Sequence, residues 1–160
     1  MSLFRRSRIR RTRRGTYRVE LPEEERDLLR RFLPQLRSLL GDEDPDDGRT
    51  RRLYPPAYVD DADADADYQR LMREDLVASR LAAIDAVEAS VDATELDEQQ
   101  LLAWLGSVNN LRLVLGTVLD VSEELELGEL PEETPDVEAY ALYAYLSSLL
   151  GEMVDALDPD

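Results

Sequence analysis

Apolar residues recur every three or four positions in four long stretches of this chain, which is the spacing of one face of an α-helix. Each stretch has a start signal, which for the second is one of the aspartates within 61–67. Pro22 precedes three glutamates, Asp97 and Gln100 resemble a capping box, and Thr134 precedes Pro135 as cap and first-turn residue. The pattern predicts four helices, at about 22–40, from within 61–67 to 91, from 97 to near 119, and from 134 onward.

A period of two that fits a β-strand appears near the start of the chain. Between Thr16 and Leu21, the residues Tyr17 and Val19 share a face with Leu21, and polar residues occupy the other face. We expect a β-hairpin closed around Gly15 and packed against helices, because an isolated hairpin is only marginally stable. The predicted fold class is mainly α, a four-helix domain with an N-terminal β-hairpin.

The length of 160 residues indicates one domain. We divide it into a basic hairpin arm (1–21) and a helical body (22–157) with a linker at 41–60. The second helix is apolar nearly all round between Leu76 and Val87, which predicts a central, largely buried helix. Gly116 either ends the third helix or lets a neighbour approach closely. The predicted core stripes of the first, third and last helices are Leu28, Leu29, Phe32, Leu33, Leu36, Leu39 and Leu40; Leu101, Leu102, Trp104, Leu105, Val108, Leu111, Val114, Leu115, Val118 and Leu119; and Tyr140, Tyr143, Leu146, Leu150 and Val154.

Histidine, cysteine and lysine are all absent from the chain. Their absence excludes Ser–His and Cys–His pairs, Schiff-base lysines, the P-loop lysine and the usual ligands of transition metals. The aspartates at 61, 63, 65 and 67 fit neither register of a calcium-binding EF-hand, so we expect one of them to cap a helix instead. We therefore predict a protein that is not an enzyme and that has no cofactor and no metal site; the 36 acidic residues leave an acid-only hydrolase or metal enzyme as the alternative.

Charge is divided unevenly along the sequence. Residues 1–80 hold 18 arginines and 17 acidic residues, whereas residues 81–160 hold one arginine, Arg112, and 19 acidic residues. The N-terminal arginines are the candidate partner-binding residues: Arg5, Arg6, Arg8, Arg10, Arg11, Arg13 and Arg14. They could neutralise the phosphates of a nucleic acid, contact a protein partner, or protect an exposed strand while acids of the same chain neutralise them.

Arg112 is the only cation after Arg80 and lies on an apolar helix. A buried arginine requires an acceptor, so we predict a structural ion pair with Asp85 or Glu88, with ligand anchoring as the alternative. No apolar stretch reaches the roughly 20 residues that cross a bilayer, and the N-terminus lacks the apolar core of a secretory signal. We expect a cytoplasmic protein that does not enter the membrane.

Four short motifs resemble an actinobacterial family that is catalogued as domain of unknown function number twenty-seventeen. They are LYPPAY at 53–58, LMREDL at 71–76, LLAWL at 101–105 and NLRLVLGT at 110–117. The resemblance implies regulation by protein contact. Some members are oxidative-stress transcription regulators, AosR, that act through a sigma factor and sense oxidants with cysteines, which this chain lacks. The family is often encoded beside the Clp protease adaptor ClpS, which makes the Clp machinery an alternative partner.

Overall fold

The structure is a computed structural model that describes residues 7–41, 53, 60–119 and 137–158. Its helices are α1 (Glu23–Gly41), α2 (Ala62–Ser90), α3 (Glu98–Val118) and α4 (Val137–Leu157). Its strands are β1 (Ile9–Arg11), β2 (Tyr17–Val19) and β3 (Glu95–Leu96). The predicted fold class of four helices after a β-hairpin is confirmed; the predicted caps Thr134 and Pro135 lie outside the described residues.

The three strands form one antiparallel sheet in the order β1-β2-β3. The hairpin between β1 and β2 turns at Gly15, whose positive φ of 82° is a backbone conformation that glycine adopts without steric cost. Tyr17 and Val19 are buried as their alternation predicted. The strand β3, which the sequence analysis missed, has only two residues and therefore carries no readable alternation.

The core joins the sheet to all four helices. Ile9 and Val19 from the hairpin lie in one apolar cluster with Leu33 of α1, Ile84 of α2, and side chains of α3 and α4. Trp104 of α3 is fully buried and donates its indole N–H to Ser90 Oγ at 2.8 Å. The hairpin is thus built into the body rather than projecting from it.

The three predicted helix starts that the structure describes are confirmed, and α1 begins at Glu23, directly after Pro22. Asp61 caps α2 by accepting the N–H of Ala64 at 3.0 Å. Asp97 and Gln100 form the capping box of α3. Gly116 does not end α3, since the helix continues to Val118.

Some predictions about burial are wrong. The helix α2 is not largely buried: its buried residues are Ile84, Val87 and Ser90, near its end, and Leu71 in its first half is 73% exposed. In α4 the buried stripe is Leu146, Leu149, Met153 and Ala156, one helical position away from the predicted Leu150 and Val154. Leu102 of α3 is half exposed. These stretches are apolar on more than one face, so periodicity alone could not select the inner face.

Candidate functional site

The apolar stripe of α1 is wide enough to cover two faces of the helix. Leu29, Leu33, Leu36 and Leu40 are buried in the core. Leu28, Phe32 and Leu39 lie beside this row and are only half buried. The second row faces a groove, because Leu28, Phe32 and Leu39 line an open cavity together with residues of α3 and α4.

One wall of the groove is α1, and short apolar rows of α3 and α4 form the rest of its lining. Leu111, Val114 and Leu115 come from α3, and Leu142 and Leu146 come from α4. Its volume is about 220 Å³. Leu28 and Leu39 are eleven positions apart, so the lined length of α1 is about 16 Å at 1.5 Å per residue. A cleft of this kind binds apolar side chains and excludes water from them.

Polar groups are sparse in the groove. Gln35 is the one polar residue among the described residues that line it. Next to it, the Arg31 guanidinium lies 5.4 Å from the centre of the Phe32 ring, which is within the range of a cation–π contact. No cluster of nucleophile, acid and base lines this cleft among the described residues, and its lining is apolar except for Gln35.

The structure places Arg8, one of the candidate partner-binding residues, in a buried polar cluster. Its backbone N–H and its Nε donate to the two carboxylate oxygens of Glu152 at 2.9 and 2.7 Å, and its guanidinium also pairs with Glu25. Ser148 Oγ accepts at 3.2 Å, and the Tyr145 ring centre lies 5.2 Å from the guanidinium carbon. Arg8 therefore fastens the hairpin to α1 and α4 and is not available to a partner.

The cluster also determines the protonation of its members. Burial works against the charged form of Glu152, but the hydrogen bonds and positive charge of Arg8 outweigh it and lower the pKa of this carboxyl. Burial raises the pKa of Tyr145, and the Glu25 carboxylate adds to the effect. Since Glu152 is held as an ionised acceptor by Arg8, it is unsuited to act as a general acid.

The other arm arginines divide into two groups. Arg10 pairs with Glu20, and Arg14 pairs with Glu95 at 2.9 Å, so both are neutralised by acids of the same chain. Arg11 and Arg13 are exposed and form no ion pair with a described residue. Arg5 and Arg6 lie outside the described residues. The structure therefore does not gather the seven arginines into one basic surface within the part of the chain that it describes.

The predicted ion pair of Arg112 with Asp85 or Glu88 is wrong. Arg112 donates to Asn109 Oδ1 at 3.1 Å and to the Tyr143 hydroxyl at 3.4 Å, and its guanidinium lies 5.9 Å from the Tyr143 ring centre. Arg37 of α1 pairs with both Asp85 and Glu88 instead. Arg112 is half buried and contacts neutral acceptors and the tyrosine ring, while its buried Nε has no hydrogen-bond partner among the described residues.

Another buried arginine was not anticipated. Arg26 donates to the carbonyl oxygens of Leu21 at 3.1 Å and Ala93 at 3.0 Å, and also to that of Val91, the residue that caps the C-terminus of α2. A cation at the C-terminal end of a helix is stabilised by the helix dipole.

The groove was not predicted either. Its signal in the sequence was the number of apolar residues in α1, because seven are more than a single buried helix face requires.

The acidic side chains do not form a metal centre in the described parts of the chain: no three Asp or Glu side chains converge there. No described helix is both long and apolar enough to cross a membrane.

Fold and site together define a mainly α protein with a small sheet and an open apolar groove. The chain belongs to the family Domain of unknown function (DUF2017), whose profile matches residues 3–157. Comparisons with curated proteins and with solved structures find no match.

Proposed function

We propose that this protein is a non-enzymatic regulator that acts by binding another protein in the groove between α1, α3 and α4. The observation that carries the proposal is the apolar lining of this groove, which three helices build and which the described residues leave open to solvent. Concave clefts lined mainly by apolar side chains with few polar groups are the usual form of binding sites. The missing histidine, cysteine and lysine side chains support a role without catalysis.

For the partner we propose a component of the transcription apparatus, a sigma factor or RNA polymerase. Support comes from the resemblance to AosR-type regulators of actinobacteria and from membership of DUF2017. The all-arginine basic composition fits the GC-rich genome of an actinobacterium. Because the chain has no cysteine, its regulation does not pass through a thiol. The Clp machinery, suggested by the ClpS gene neighbourhood, is the alternative partner.

Photo-crosslinking in the native host tests this proposal. A benzoylphenylalanine replaces Phe32 in the groove, and a matched variant carries it at Leu102, which is half exposed but lies outside the groove. We expect a sigma-factor or polymerase subunit to be captured from position 32 and not from position 102. Capture of a Clp component from position 32 would favour the alternative partner. Equal capture from both positions would refute the groove as the binding site.

A further inference from the structure

We propose that two copies of this chain pair through the outer seam between α3 and α4, with Arg112 of each copy against Glu98 of the other. The outer seam is formed by one row of residues on each helix: Glu98, Leu102, Leu105, Asn109 and Arg112 on α3, and Tyr143, Ser147, Leu150 and Val154 on α4. Arg112 and Tyr143 each follow a residue that lines the groove, and one position turns a helix by about 100°, so the seam lies to one side of the groove. The inference therefore concerns a second surface and goes beyond the proposed function.

Two contacts fix the register of α3 against α4. Arg112 Nη1 donates to the Tyr143 hydroxyl at 3.4 Å, and the Tyr140 hydroxyl donates to the carbonyl oxygen of Leu119 at 3.3 Å. Position 112 thus meets position 143, and position 119 meets position 140. The numbers fall on α4 as they rise on α3, so the two helices run antiparallel.

The apolar part of the outer seam is open to solvent. Because both helices rise by the same length per residue, the register continues from Arg112 to Leu105 beside Leu150 and then to Leu102 beside Val154. Leu102 is 50% exposed and Val154 is 51% exposed. Two large apolar side chains from adjacent helices therefore meet water at the same place, and they lose this exposure when another surface covers them.

The two ends of the α3 row carry opposite charges. Arg112 contacts neutral groups of Asn109 and Tyr143, and its buried Nε has no hydrogen-bond partner among the described residues. Glu98 is exposed and forms no ion pair within the part of the chain that the structure describes. A half-buried guanidinium without a carboxylate has lost part of its hydration with no opposite charge to compensate. A carboxylate from outside would supply that charge.

The α3 row is complementary to itself. Its positions 98, 102, 105, 109 and 112 are separated by four and three residues in turn, which is the spacing of a seam where two helices pack side by side. Glu98 and Arg112 are each seven positions from Leu105. A two-fold axis at Leu105 therefore sets Glu98 of one copy against Arg112 of the other at both ends, about 21 Å apart at 1.5 Å per residue. This match selects a second copy of the chain as the occupant.

The net charge of −17 opposes self-association. At physiological ionic strength the Debye length is about 8 Å, so repulsion between exposed charges that lie farther apart than this is largely screened. The two pairs of Arg112 with Glu98 are in contact and partly shielded from water, and salt weakens such pairs much less. We therefore expect the dimer at physiological ionic strength.

Sedimentation velocity of the full chain tests the dimer. We expect a concentration-dependent dimer of the wild type, and Leu102→Asp should raise its dissociation constant by roughly tenfold or more. Leu71→Asp is the matched control, because Leu71 is 73% exposed on α2 and lies outside the seam. A wild-type chain that stays monomeric at millimolar concentration would overturn the inference, as would equal effects of the two substitutions.

Exchange of the two charges tests the antiparallel pairing. Glu98→Arg and Arg112→Glu each place like charges at both ends of the seam, so each variant alone should dimerise at least tenfold more weakly than the wild type. An equal mixture of the two should recover the dimer, because each end then joins an arginine to a glutamate. Loss of a merely structural contact would not be repaired by mixing. A mixture that associates no better than the separate variants would overturn the pairing.

Photo-crosslinking of the purified chain covers the case of a charge variant that does not fold. Benzoylphenylalanine at position 102 should join two copies of the chain, whereas the same residue at position 32 in the groove should not. A crosslinked dimer from position 32 and none from position 102 would overturn the inference. The proposed function is tested by capture of other proteins at position 32 in cells, so either proposal can fail while the other stands.

Discussion

Arg8 and Glu152 are joined at two points although 144 positions separate them: the backbone N–H of Arg8 reaches one carboxylate oxygen at 2.9 Å and its Nε reaches the other at 2.7 Å. This contact fixes both the position and the rotation of the Glu152 carboxylate against β1. It connects the first described strand of the chain to its last helix. Arg8 is buried, and the Glu152 side chain is about one-fifth exposed, so water screens the pair only in part.

Replacing Glu152 with alanine should lower the free energy of unfolding by about 1–3 kcal/mol. The expected loss is below the roughly 3–5 kcal/mol of a fully buried broken pair because Glu25 still pairs with Arg8. Urea unfolding followed by circular dichroism measures it. Asp155→Ala is the control, since Asp155 is exposed on the same helix and should change the free energy by less than about 0.5 kcal/mol. Equal effects of the two substitutions would contradict a specific role for the pair.

Acid should remove the contribution of Glu152. Its pKa in the folded protein is below the value of about 4.3 in an unfolded chain, so the stabilisation is complete above that unfolded value and is lost as the pH falls through the folded pKa. The free energy of unfolding of the wild type should therefore exceed that of Glu152→Gln at pH 7, and the difference should shrink below pH 4. A difference that stays constant from pH 7 to pH 3 would exclude this linkage.

Alkaline titration should reveal one tyrosine that ionises late. Burial and the Glu25 carboxylate raise the pKa of Tyr145 above the usual value near 10, so the stability it contributes is present below pH 10 and lost as the pH rises through the folded pKa. We expect Tyr145→Phe to remove absorbance change at 295 nm from the high-pH part of the curve only. In concentrated urea, where the fold is lost, the difference in absorbance between the wild type and Tyr145→Phe should appear at about pH 10 instead.

Two buried serines should respond differently to replacement by alanine. Ser90 Oγ accepts the Trp104 indole N–H at 2.8 Å, so Ser90→Ala leaves a buried donor without an acceptor and should cost about 1–3 kcal/mol. Ser107 Oγ is buried and has no hydrogen-bond partner among the described residues, so Ser107→Ala should change stability by less than about 0.5 kcal/mol. Urea unfolding followed by fluorescence of Trp104, the single tryptophan, compares the two variants. A larger loss for Ser107→Ala would contradict the assignment.

Nucleic-acid binding through the hairpin should be weak. Arg8, Arg10, Arg14 and Arg18 are paired with acids of the chain. This leaves Arg11 and Arg13 as the hairpin arginines that form no ion pair with a described residue. We expect no shift of DNA or RNA in a gel at near-physiological salt. A salt-sensitive shift that Arg11→Glu and Arg13→Glu abolish would establish the nucleic-acid alternative instead. These point substitutions are preferable to deletion of the arm, since Ile9 is part of the core.

The sequence predicted elements well where local chemistry fixes them. Gly15, Asp61 and Asp97 act within three or four residues of their own position, so the turn and the two helix starts were readable without knowledge of the tertiary structure. The alternation at Tyr17 and Val19 was readable for the same reason.

The site was harder to predict because it depends on which elements meet. The sequence alone does not decide whether Arg112 or Arg37 pairs with Asp85 and Glu88. Only the packing of α1 against α2 assigns both acids to Arg37. The groove requires that the second apolar row of α1 meets α3 and α4 without filling the space between them. Periodicity reports that such a row exists but not what opposes it.

The contact between Arg8 and Glu152 has a consequence for synthesis on the ribosome. Translation proceeds from the N-terminus, so β1 leaves the exit tunnel long before α4 exists. During that interval Arg8 lacks its main carboxylate partner, and the side of β1 that will meet α4 faces solvent or a chaperone. The nascent chain can therefore complete its core only after α4 has left the exit tunnel.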